Sequence, residues 1–192
     1  MATMPIHITG DAAADQVLTD DPFALLVGMM LDQQYPMEHA FRGPAKVLDR
    51  FGTLEPARVA AADPAEFTAL CSTPPAIHRF PGSMAARLQE LAKIVEDEYD
   101  GHAERIWTEA ADGRDALRRI GELPGFGRQK AQIFLALLGK RFDLAAPGWR
   151  EAAGAYGETG SYRSVADITD ADSLLKVREH KQRLKAAAKA KA

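Results

Sequence analysis

Residues 121–139, GELPGFGRQKAQIFLALLG, constrain this chain more than any other stretch. A helix end runs into a tight Pro-Gly-x-Gly turn, and a second helix starts straight out of it. Pro124 fixes φ and stops the first helix. Gly125 and Gly127 carry no Cβ, so the backbone can turn freely and a large partner can approach closely. The second helix begins near Arg128, and its first N–H groups lack intrahelical acceptors. Such donors, at the positive end of a helix dipole and clear of side chains, suit a phosphate. Arg128 and Lys130 add charge at the same end. Leu123, Pro124, Gly125, Phe126, Gly127, Arg128 and Lys130 are therefore the candidate contacts to a nucleic-acid backbone, gripped without regard to sequence. A plain αα-hairpin with a glycine turn reads alike, and pattern alone leaves that alternative open. A dinucleotide-binding loop is excluded, because no strand pattern precedes the glycines; the Lys-Ser/Thr ending of a Walker-type loop is also absent.

The rest of the pattern is helical, which gives an all-α fold class. Phe23, Leu25, Leu26, Met29 and Met30 lie in a run that is apolar almost all round, so this helix is expected to be central. A second helix is predicted over Met37 to Phe51, with Ala40, Phe41, Val47, Leu48 and Phe51 inward and Gly52 as its cap. Asp63-Pro64 starts a short helix through Leu70. Residues 72–83 read as a proline-rich loop, and Ser83 as the N-cap of a helix from Met84 to Glu98. Further helices are expected over Ile106 to Ala111, Arg114 to Ile120 and Arg128 to Leu138. Gly154 to Ser164 reads as loop. A last helix begins at Asp170, and its tail is expected to fray.

Hydrophobic residues make up 46% and charged residues 27% of 192 positions, ordinary for a globular chain able to bury one core or two small interlocked lobes. No apolar run approaches the roughly 20 residues needed to span a bilayer, and no secretory leader pattern opens the chain. A cytoplasmic, nucleoid-associated monomer with no membrane partner is expected. Cys71 is the single cysteine, so an internal disulfide and a four-cysteine iron–sulfur cluster are both excluded. The net charge of −3 argues against a globally basic nucleic-acid binder. Local faces decide affinity, however, and residues 176–192 hold seven Lys or Arg against Glu179.

LPGFGRQKA resembles the helix-hairpin-helix motif of the HhH-GPD superfamily, the base-excision DNA glycosylases that include endonuclease III. DPFALLVGMMLDQQ, Asp21 to Gln34, resembles that family's first core helix, in the same order and at a similar separation. The resemblance covers Asp21 to Gly148. It implies a two-lobed helical DNA-glycosylase fold: a six-helix core lobe over 22–140 that holds the hairpin, and a smaller terminal lobe from 1–21 and 141–192. It also implies double-stranded DNA as the partner and base excision as the reaction. Gln33 and Gln34 then supply a wedge for a flipped base or hydrogen bonds to the orphaned one. Tyr35, Trp149 and Phe80 become stacking faces, with Tyr35 and Trp149 in the base pocket. The backbone oxygens of Gly121, Leu123 and Phe126 match a monovalent-cation site between hairpin and phosphate; no other cofactor is implied.

Catalysis is where the chain departs from the family. By alignment Pro147 stands where members carry an aspartate that stabilises charge on the sugar or activates a nucleophile. Gln129 stands where bifunctional members carry an attacking lysine. Lys130 is one residue on, a rotation of roughly 100°, so β-lyase activity is not expected. Asp32, Glu38 and Asp143 are the candidate replacement carboxylates. Several readings stay open: a monofunctional N-glycosylase using one of these, an enzyme acting on bases that already leave easily, a DNA-binding protein without chemistry, or a helical interaction domain with a basic tail. His39 and His78 are isolated, with no partner spacing for a metal or a triad.

Overall fold

The computed structural model describes residues 4–191, which are helical with no strand among them. Eleven α-helices follow in order among the described residues. They are α1 (Ala12–Asp20), α2 (Pro22–Leu31), α3 (Met37–Phe51), α4 (Pro56–Ala61), α5 (Pro64–Ser72) and α6 (Pro81–Tyr99), then α7 (Arg105–Thr108), α8 (Gly113–Gly121), α9 (Arg128–Arg141), α10 (Trp149–Ala152) and α11 (Ala171–Ala190). No helix is long and apolar enough to cross a membrane among the described residues.

Two helices form the interior: α2, which its apolar run marked as central, and α9. In α2, Asp21 caps the first turn by accepting from the Phe23 N–H, Pro22 presets the helical φ, and every residue from Phe23 to Leu31 is buried. At Gly28 a Cβ would lie 2.7 Å from the Phe41 ring, so glycine is what lets α2 and α3 cross this closely. In α9, Phe134 to Leu138 are all buried, and Phe134 meets the edges of Trp107 and Phe126. α6 packs on α4 and α5.

Several expectations need correction. Leu48 is exposed, although Ala40, Phe41 and Val47 of the same helix are buried. α6 starts at Pro81 rather than Met84, and its N-cap is Phe80 with no side-chain bond instead of Ser83. Proline at the first helical position has φ already set and no N–H to satisfy, so it can open the helix without Ser83. The segment expected as loop contains a 3-10 turn at Gly154–Gly157, and Trp149–Ala152 forms a short helix. The tail continues α11 to Ala190, started by a reciprocal cap between Asp170 and Ser173 and carried on by Ala and Lys.

Candidate nucleic-acid interface

The hairpin between α8 and α9 is pinned from below and open above. Leu123 and Phe126 are buried, the Leu123 N–H donates to the Ile120 carbonyl at 3.2 Å, and the Phe126 N–H donates to that of Leu123 at 3.1 Å. Gly125 takes φ of +82°, and a Cβ there would lie 2.9 Å from Arg87 Cδ and 3.1 Å from Met30 Cγ. Any other residue would push the turn off α2 and α6. Gly127 is the opposite case. No heavy atom comes within 4 Å of where its Cβ would be, it is exposed with Arg128, and no side chain caps α9. The first-turn N–H groups of α9 thus face open space, with Arg128, Arg114 and Arg118 around a shallow recess beside them.

Beyond α2 the chain turns sharply through Asp32, Gln33 and Gln34. Gln34 adopts φ of +49°, which a non-glycine residue holds only with support. His78 supplies it. Its Nδ1 accepts the Phe80 N–H at 3.0 Å, so the proton sits on Nε2, which donates to the Gln33 carbonyl at 2.9 Å. Arg79 Nη1 donates to the Gln34 carbonyl at 3.4 Å. The Tyr35 ring packs at a tilt against the imidazole, with centroids 4.7 Å apart. Burial pushes the His78 pKa down, opposed by the Gln33 bond, with the charges of Lys130, Arg79 and Arg87 pushing the same way as burial. Phe80 protrudes beside this turn, 46% exposed, under the Arg79 guanidinium at 4.7 Å. Sequence spacing gave no sign that His78 serves Gln33, because the two meet only through the fold.

A groove of about 730 Å³ lies between this turn, the start of α9 and the inner face of α11. Asp32, Gln33, Gln34, Tyr35, Glu38, Gln129 and Lys130 all line it. α11 closes the far side with Arg178, Lys181 and Lys185. The side chains of Asp32 and Glu38 are only 14% and 15% exposed. Arg178 pairs with Glu38, and Lys181 Nζ stands 3.9 Å from Asp32 Oδ2. Lys130 donates to the Met30 carbonyl at 3.0 Å. Burial pushes its amine down to about 8, with Asp32 pulling it up and Arg87 pushing it down. Burial raises the Asp32 pKa, and Lys181 and Lys130 oppose the rise. Gln129 donates to the Tyr156 hydroxyl at 2.7 Å.

The remaining sequence candidates lie elsewhere. Asp143, at φ of +52°, lines a separate recess with Leu144 and Trp107. Trp149 lies flat on α9, its ring filling the space over Gly139, and Arg150 covers it at 4.4 Å. Pro147 is a backbone staple whose carbonyl accepts the Gly113 N–H at 2.7 Å. Of the hairpin carbonyls, that of Leu123 already accepts one bond and keeps a second lone pair. Among the described residues no cluster of three or more His, Cys, Asp or Glu could hold a metal ion. The arrangement is an uncapped helix mouth open beside Gly127, a braced turn carrying two glutamines, and a cation-rimmed groove that also holds Asp32 and Glu38. A family model described as "HhH-GPD superfamily base excision DNA repair protein" matches residues 27–190. No curated protein and no solved structure matches the chain.

Proposed function

The chain belongs to the HhH-GPD superfamily of base excision DNA repair proteins, and from that membership we propose that it is a monofunctional DNA N-glycosylase whose catalytic carboxylate is Asp32. The observation that carries this reading is the buried Asp32 side chain inside the groove that also holds Gln34, Tyr35 and Lys130. As a base–sugar bond breaks, positive charge develops on the sugar. A carboxylate held in a poorly solvated groove stabilises that charge, and the same carboxylate can orient an attacking water. Burial raises the Asp32 pKa, and the charges of Lys181 and Lys130 oppose that rise in favour of the carboxylate. In this scheme Gly127 and Arg128 hold a backbone phosphate, Gln34 fills the gap left by the flipped base, and exposed Phe80 meets the opposite strand. The hairpin carbonyls of Gly121, Leu123 and Phe126 are available to a monovalent cation beside that phosphate.

Lys130, Arg178, Lys181 and Lys185 outnumber Asp32 and Glu38 along the groove. That balance favours a neutral damaged or mismatched base over a cationic one. Lys130 is tied to a main-chain carbonyl and Gln129 is not a nucleophile, so the product is a plain abasic site without strand cleavage.

The test is a single-turnover assay, enzyme in excess, on duplexes carrying uracil, mismatched adenine or 3-methyladenine. Abasic product is expected on at least one, resistant to borohydride trapping. Asp32→Asn should lose about a hundredfold or more in rate while duplex affinity holds. Product undiminished in Asp32→Asn would move the chemistry to another group. No product on any substrate would leave the second reading, a duplex-binding protein without chemistry, which Pro147 at the family's aspartate position favours.

A further inference from the structure

At the far end of α9 from the hairpin lies a second cavity, of about 340 Å³. Arg128 and Arg141 bound α9, so the two regions stand roughly 20 Å apart along the helix axis. The cavity wall includes Lys140, Arg141, Arg150 and Asp167, three cations against one carboxylate. Two of these cations already have partners, Arg150 through Nη1 alone. Lys140 pairs with Asp167 Oδ1 at 2.6 Å and donates to the Glu158 carbonyl at 2.6 Å. Arg150 donates to the Gly157 carbonyl at 2.9 Å and to Thr159 Oγ1 at 3.3 Å, bracing the segment that forms the outer wall.

Arg141 is different. It is 6% exposed, donates through Nη2 to the Pro5 carbonyl at 2.9 Å, and makes no ion pair among the described residues. Its Nε is the one buried side-chain nitrogen or oxygen without a hydrogen-bond partner among the described residues. Asp170 acts on it through space, but that carboxylate is spent capping α11 through the Ser173 N–H at 2.8 Å. A buried guanidinium with no counter-anion is costly, and unsatisfied buried donors are rare in folded chains. Beside it the cavity offers hydroxyl donors. Thr159 accepts from Arg150 and keeps its own proton to donate, and the exposed Tyr162 stands at the rim under Lys176 at 4.8 Å. Gly160, at φ of +73°, leaves the wall open, with nothing within 4 Å of its Cβ position.

We propose that this cavity binds the phosphate group of a small phosphate or phosphate ester, with Arg141 as its buried charge partner and Thr159 and Arg150 as its outer contacts. The inference stands apart from the base-excision reading and survives its failure. Free phosphate and a mononucleotide share the recognised chemistry; the Tyr162 ring gives a nucleobase somewhere to stack.

Isothermal titration of the full chain with inorganic phosphate, AMP and adenosine tests it. Saturable binding of phosphate and AMP, and none of adenosine, is expected. Tighter AMP identifies a nucleotide as the occupant, and equal affinity identifies free phosphate. Arg141→Met should weaken either ligand about tenfold or more, since a charge-assisted bond is lost. It should also melt higher than the parent in phosphate-free buffer, because it removes an uncompensated charge. Thr159→Asp, at an exposed position, supplies a competing carboxylate to Arg150 and should abolish binding with the fold intact. Absence of saturable binding, undiminished binding in either variant, or displacement of phosphate by duplex DNA would overturn the proposal.

Discussion

His78 has a task that its sequence neighbourhood did not advertise. Its ring bridges the Phe80 N–H and the Gln33 carbonyl, and so holds Gln34 in a left-handed conformation. Protonating it would put a hydrogen on Nδ1, the atom that must accept from Phe80. Burial opposes the charge as well, so the folded-state pKa lies below the ordinary 6.5. The unfolded chain takes up this proton first as pH falls. Stability from this group is therefore complete above about 6.5 and is lost as pH drops through the window beneath it. Thermal midpoints measured from pH 7.5 to 5 should fall, and His78→Gln should flatten the slope in that range. An unchanged slope in the variant would assign the acid sensitivity to other groups. The raised pKa values of Asp21 and Asp32 act with the opposite sign, and their window begins near 3.8 and extends upward. Asp32 itself was legible as a helix-end carboxylate near a presumed pocket. The Lys181 that faces it from α11 was not, because a pairing across so much sequence leaves no local pattern.

At the scale of elements, the proposed reading divides the work of meeting a duplex between the hairpin and α11. The hairpin was readable because its chemistry is local: a proline stop, two glycines and a helix start within a few residues. The last helix was expected from Asp170, where α11 does start, but its contacts to Glu38 and Asp32 were not foreseen, since those residues come from the other end of the chain. The start of α6 was likewise placed late, because a serine cap was weighed above a proline at the first helical position. One substitution and one truncation separate the contributions. Arg128→Glu should weaken duplex binding roughly tenfold or more, evenly across sequences, as phosphate contacts carry no base readout. Removing Lys181 to Ala192 should weaken it further and make the salt dependence shallower by about one unit of slope per lost contact. Fluorescence anisotropy over a salt series reads both. Retained affinity in Arg128→Glu would count against DNA binding at the hairpin. Unaltered affinity in the truncation, with loss of binding to an acidic protein, would favour the interaction-domain reading.

The whole molecule is organised around one continuous hydrophobic cluster that runs from Ile6 and Ile8 through α2 and α9 to Val177. The proposed lobes, 22–140 and the two terminal segments, both contribute to it. They should therefore unfold together, even though a cleft runs between them. Phe134→Ala, which empties the meeting point of Trp107 and Phe126, should cost about 3–5 kcal/mol. It should shift a single transition, coincident by circular dichroism and tryptophan fluorescence. Two separated transitions would show independent lobes. Net charge was a poor guide at this scale. The total of −3 hides a groove lined by Lys130, Arg178, Lys181 and Lys185 against Asp32 and Glu38.

The order in which the groove's parts leave the ribosome follows from where they lie. Its floor, Asp32 to Tyr35, is synthesised early, the hairpin much later, and the closing cations at 178–185 last. A nascent or C-terminally clipped chain can bury most of its apolar residues and still present an unfinished, three-sided trough. In the proposed reading, proteolysis beyond Val177 would open the groove and weaken duplex binding while leaving the buried cluster in place.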